Sequence, residues 1–66
     1  MSCDGWEVGR RCRSTFILGP VIPGDEGTIV RIDNHQPHAH TIYVLWDRLR
    51  DTVPVPDALI ARLDRA

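Results

Sequence analysis

Three imidazoles fall within six positions in the segment His35-Gln-Pro-His38-Ala-His40. Imidazole is a common ligand for zinc, nickel and copper, so this cluster is the chain's most chemically suggestive feature. A structural zinc site wants four ligands at defined spacing. No second pair of ligands is evident, and Cys3 or Asp33 could contribute only if the fold brings them close. Histidines in a loop are also simply polar. The expectation is no bound cofactor, with His35, His38 and His40 as the ligands if Zn or Ni is held.

The other reactive side chains read as structural. Asp25-Glu26 are adjacent carboxylates on a Gly-flanked turn. Catalysis would need them in a cleft with separated pKa values, and a turn leaves them solvated. Arg10, Arg11 and Arg13 form a local basic run. It could contact phosphate or an acidic partner, or it could be a solvated strand face with Glu7 and Asp4 beside it. Cys3 and Cys12 match no zinc or redox spacing. Cys12 beside arginines could be a lowered-pKa thiol; a buried core thiol is the preferred reading. No nucleophile–base or phosphate-loop spacing is present. The chain is therefore expected not to be an enzyme.

Sixty-six residues fit a single domain over 1–66, with 1–6 as a loose lead-in. A chain this short buries only about 60% of its unfolded surface. Its core supplies ~3–5 kcal/mol, which makes a staple or a partner plausible. Eight Arg and no Lys against nine acidic residues give a formal net charge of −1. Nucleic-acid proteins normally carry a basic field, so nucleic acid is not expected as a partner. No apolar run approaches the ~20 residues that span a bilayer, and the first residues lack a signal-peptide pattern. The expectation is a cytoplasmic protein without a membrane partner, with reduced thiols.

Four strands are predicted. Val8 to Ser14 form the first, with Val8 and Cys12 facing inward and Arg11 and Arg13 facing water; Thr15 to Leu18 continue it. Gly19-Pro20 and Pro23-Gly24 are turn punctuation. Gly27 marks a sharp bend or a close approach to another strand. Thr28 to Asp33 form the second strand, with Val30 and Ile32 on its inner face. Asn34 to His40 are a loop, because Pro37 forbids regular pairing. Thr41 to Asp47 form the third strand, with Ile42, Val44 and Trp46 inward. Arg48 to Asp51 turn the chain. Thr52 to Val55 form a fourth strand that Pro54 consigns to an edge. Asp57 can cap a helical turn. Leu59, Ile60 and Leu63 then close the end of the domain, as a short helix or as a turn followed by a fifth strand.

This two-residue period points Tyr43 and Leu45 away from the core. An exposed aromatic–aliphatic patch marks a partner surface, unless Leu59, Ile60 and Leu63 cover it. Trp6 is a third candidate anchor, because an indole rarely stays solvated without a reason.

Short strands, the Gly24-Asp-Glu-Gly27 turn and the terminal Val53-Pro-Val-Pro-Asp-Ala-Leu-Ile60 resemble an SH3-like barrel. Ile22-Pro-Gly-Asp-Glu-Gly-Thr-Ile-Val-Arg-Ile-Asp33 resembles the KOW motif of ribosomal and transcription-elongation proteins, whose domains bind RNA or proteins. Trp6-Glu-Val-Gly9, Gly24-Asp-Glu-Gly27, Ile42-Tyr-Val-Leu-Trp46 and Ala58-Leu-Ile60 are similar, in order, to NifZ-like accessory proteins of nitrogenase maturation. The loop between the first two strands is much shorter here, and the histidine loop is a further departure. The resemblances imply an all-β, small SH3-like barrel of about five short antiparallel strands with a short C-terminal helical turn. They imply a non-enzymatic protein-interaction module, an accessory subunit or assembly factor of a larger enzyme, metalloenzymes included. A homodimer, a small metal-binding protein and a KOW-type RNA-binding domain are the alternatives.

Overall fold

The computed structural model describes residues 5–36 and 39–66. Over the described residues the architecture is all-β: one antiparallel sheet of five strands in the order β4-β3-β2-β1-β5, with a single short helix. The strands are β1 (Arg11–Arg13), β2 (Glu26–Gln36), β3 (Ala39–Trp46), β4 (Asp51–Pro56) and β5 (Asp64–Arg65); the helix α1 is Asp57–Ile60. Among the described residues no ladder joins β4 to β5, so the sheet stays open where a closed barrel was expected.

The first strand is shorter than Val8 to Ser14 because turns bound it. Arg10 N–H donates to Glu7 C=O at 3.1 Å, with Gly9 at φ 96°. After Arg13, the Ser14 hydroxyl donates to Phe16 C=O and accepts from Phe16 N–H. Such local bonds compete with strand pairing, so Thr15 to Leu18 do not extend β1. Leu18 and Val21 instead bridge across Gly19-Pro20.

Ile42, Val44 and Trp46 are fully buried, as their alternation requires. Cys12, Ile29, Val55, Ile60 and Leu63 complete much of the same core. Gly27 sits at the close approach its type suggested. A Cβ there would lie 2.6 Å from Val44 Cγ1 and 2.7 Å from the Leu45 carbonyl oxygen. No side chain fits without displacing β3.

The expected phase of β2 is wrong in its first half. Val30 is 42% exposed, whereas Ile29 is fully buried. The cause is a β-bulge: Ile29 opposes Val44 and Arg31 opposes Tyr43, leaving Val30 as the extra residue. A bulge resets the alternation. Ile29 and Ile32, three apart, therefore both serve the core, Ile32 as a half-buried neighbour.

Asn34 to His40 is not a loop throughout, because β2 continues to Gln36 and β3 begins at Ala39. Pro37 and His38 lie outside the described residues. Pro54 is on an edge strand, as expected. The C-terminal segment uses both alternatives, a helix over Asp57–Ile60 and then β5. Asp57 is inside that helix rather than its cap, which is Pro56. Asp25 is also not solvated. It is 7% exposed and bonded to Arg48.

Candidate interaction surface

The outer face of the sheet follows from the register. Leu45 lies between Thr28 of β2 and Thr52 of β4. Tyr43 lies between Arg31 and Pro54. Their neighbours in β3 point into the core, so these side chains point out. Leu45 is 42% exposed and Tyr43 half-buried. The bulge turns Val30 away from the core as well, next to the Arg31–Tyr43 pair. The result is an apolar strip of Val30, Tyr43, Leu45 and Pro54 across three strands.

The strip has charged borders. Arg31 stands over the Tyr43 ring, with its guanidinium carbon 5.4 Å from the centroid, and its Nε donates to Asp33 Oδ1 at 2.7 Å. Towards β1, Arg11 donates to Thr28 Oγ1 at 3.0 Å and to Asp47 Oδ1 at 2.9 Å, and it approaches Glu26. Arg13 donates twice to Glu26 Oε2. The hydrogen bond between Arg11 and Asp47 raises the guanidinium pKa and lowers that of the carboxyl. The arginine run thus lies on an exposed strand face, as one of its two readings had it, but Arg11 and Arg13 are paired with Glu26 and Asp47, and only Arg10 meets Glu7. Each such pair is worth little in stability, but together they leave little unopposed positive charge on that face.

Leu59, Ile60 and Leu63 do not cover the strip. They pack with Ile42, Val44 and Trp46 on the opposite, inner side. Trp6 does not join Tyr43 and Leu45 either. It packs against the core near the β5 edge, where Arg65 stands over its ring at 5.9 Å.

His40 lies in β3 opposite Asn34, one residue after the strand begins at Ala39. His38, the side chain of His35 and Cys3 lie outside the described residues. Among the described residues no group of three or more His, Cys, Asp or Glu side chains is placed to hold a metal. Cys12 is buried, and burial pushes its thiol up to about 11. A thiol held protonated is a poor nucleophile, so it serves as core.

Val30 and Pro54 were not singled out as surface residues from sequence. Pro54 carried a signal, because an edge proline adjoins whatever its partner strand exposes. Val30 carried no deciding signal: Ile29 and Ile32, three apart, fit a bulge, but Val30 and Ile32 fit a plain strand equally well. A scan of protein-family models, a search of curated proteins and a search of solved structures each return no match.

Proposed function

We propose that this chain is a non-enzymatic protein-interaction module, a small cytoplasmic accessory subunit or assembly factor of a larger enzyme. The observation that carries this reading is the apolar strip Val30–Tyr43–Leu45–Pro54 on an outer sheet face whose other residues are threonines and paired charges. Tyrosine is favoured at interfaces because it brings large area with few rotatable bonds. A domain this size has little room for a catalytic cleft, whereas a sheet face can dock a partner.

The test uses the full chain as bait in its native lysate. Changing Tyr43 and Leu45 together to Ser leaves the fold intact and weakens capture of the partner by ~2 kcal/mol or more. A double variant that unfolds assigns these residues to the core. A folded variant that captures the same partner equally well removes the strip from the interface.

A further inference from the structure

The sheet has unequal edges. On β4, Pro54 opposes Tyr43 and Pro56 opposes Thr41. Proline has no N–H, so neither can belong to a pair that exchanges two hydrogen bonds. Those pairs are Val53–Val44 and Val55–Ile42, and the backbones of Thr52, Pro54 and Pro56 face outward. Of these only Thr52 has an N–H, and it donates to Asp51 Oδ1 at 2.9 Å. The β4 edge therefore offers a further strand no unengaged donor. On the other side of the sheet, β5 is only two residues long.

The remaining edge belongs to β2. Ile29 N–H donates to Arg10 C=O, and Gly9 N–H donates to Ile29 C=O, so β1 and the turn before it cover β2 up to that point. The chain then turns away at Glu7–Arg10, towards β5. Past the bulge, Arg31 and Asp33 oppose Tyr43 and Thr41 and point their backbones at β3. The backbone of Ile32, and that of Asn34 after it, faces the opposite way. Among the described residues no strand lies beyond them.

We propose that this edge pairs with the same edge of a second copy of the chain. Two identical strands meet antiparallel about a two-fold axis. The register in which Ile32 opposes its own copy exchanges both Ile32 N–H···O=C bonds. It also sets Arg31 opposite Asp33 of the other copy, twice. Opposite charges facing each other across antiparallel strands stabilise the pairing. The next register, shifted by two, would set Asp33 against Asp33 and is disfavoured. Arg31 has the reach for this, with a side chain 66% exposed; Asp33 is 11% exposed and already accepts from Arg31 of its own chain, so in the dimer its carboxylate would be shared between the two guanidinium groups. The two five-stranded sheets would then run on as one.

Sedimentation and amide hydrogen exchange over a concentration series test this on the purified chain without any partner. A concentration-dependent dimer is expected, with the Ile32 amide gaining protection as it forms. Arg31→Glu sets a carboxylate opposite Asp33 and weakens the dimer at least tenfold. A synthetic chain with N-methyl-Ile32 keeps the side chain and the β2–β3 ladder but loses the outward donor, and it stays monomeric. Tyr43→Ser with Leu45→Ser leaves the dimer intact, which separates this proposal from the partner reading. A chain monomeric at all concentrations, an Ile32 amide already protected in the dilute monomer, or an N-methyl chain that still dimerises would each overturn it.

Discussion

Arg48 holds Asp25 by two parallel hydrogen bonds, Nε to Oδ1 and Nη2 to Oδ2, each 2.8 Å. The same carboxylate accepts from Ile22 N–H at 3.1 Å, and Arg48 Nη2 also donates to Pro20 C=O at 2.7 Å. One residue of the β3–β4 turn thus fixes two turns of the long connection before β2. Between them Ile22-Pro23-Gly24-Asp25 closes on an Asp25 N–H to Ile22 C=O bond, with Gly24 at φ 94°. Proline followed by a positive-φ glycine is the pattern of a type II turn.

This clasp predicts an acid limb. The hydrogen bonds from Arg48 lower the Asp25 pKa from 3.8 to about 2. A carboxyl with a depressed folded-state pKa stabilises the fold fully above its unfolded value and loses that contribution as pH falls through the folded one. Thermal unfolding should therefore be insensitive to Asp25 above about pH 4 and weaken between about pH 4 and 2. Asp47, lowered by Arg11, acts in the same direction. Arg48→Ala leaves a buried carboxylate without its cation. The variant should melt lower at pH 7 and show a shallower acid limb. An unchanged melting temperature and the same acid limb would remove the clasp from the stability of the fold.

The bulge predicts an inverted pair of core effects. Ile29→Ala should cost ~2–5 kcal/mol and Trp46→Ala ~3–5 kcal/mol, enough to unfold a domain with so small a core. Val30→Ala, one position from Ile29, should stay within about 0.5 kcal/mol. Circular dichroism of the three variants decides it. A destabilised Val30→Ala beside a folded Ile29→Ala would restore the unbulged register.

What was legible in the chain divides along the same line. Thr41 to Trp46 alternates cleanly and ends in a tryptophan, so its register and faces could be read directly. Pro54 and Gly27 each lack a group that the other residue types have, an N–H or a Cβ, so each located itself on an edge or at a close approach. In contrast, Ile29-Val30-Arg31-Ile32 supports two phases. Only the opposing strand decides between them, because the bulge lies in the pairing and not in the residues. Asp25 was misread for a similar reason. Its partner, Arg48, is 23 positions away, and no local rule joins them. The Tyr43–Leu45 half of the candidate surface followed from the alternation, and the Val30 half could not.

The histidine segment carries a prediction about metal. His35, His38 and His40 supply three imidazoles, one fewer than a closed zinc site takes. Titration with Zn²⁺ or Ni²⁺ should produce weak binding or none and little rise in melting temperature, since a ligand stabilises only in proportion to its occupancy of the folded state. Joint shifts of the three histidine resonances with sub-micromolar, one-to-one binding, lost in His38→Ala, would make metal binding the better account of the chain.

The arginine run carries the last prediction. Phosphate affinity grows with the number of cations a protein can bring to the backbone, and so does its salt dependence. The chain has a formal net charge of −1. Arg11 is engaged by Asp47 and Glu26, and Arg13 by Glu26. Arg10 lies 3.9 Å from Glu7. A phosphate would have to displace these carboxylates, which remain close by and repel it. Binding to mixed-sequence RNA at physiological salt should therefore be undetectable in a filter or polarisation assay. Replacing Glu26 and Asp47 with Gln and Asn should raise RNA affinity measurably at low salt, because it releases two guanidinium groups on one face. Tight binding by the unaltered chain with a steep salt slope, abolished when Arg10, Arg11 and Arg13 are replaced, would instead make the KOW-like segment a working RNA site.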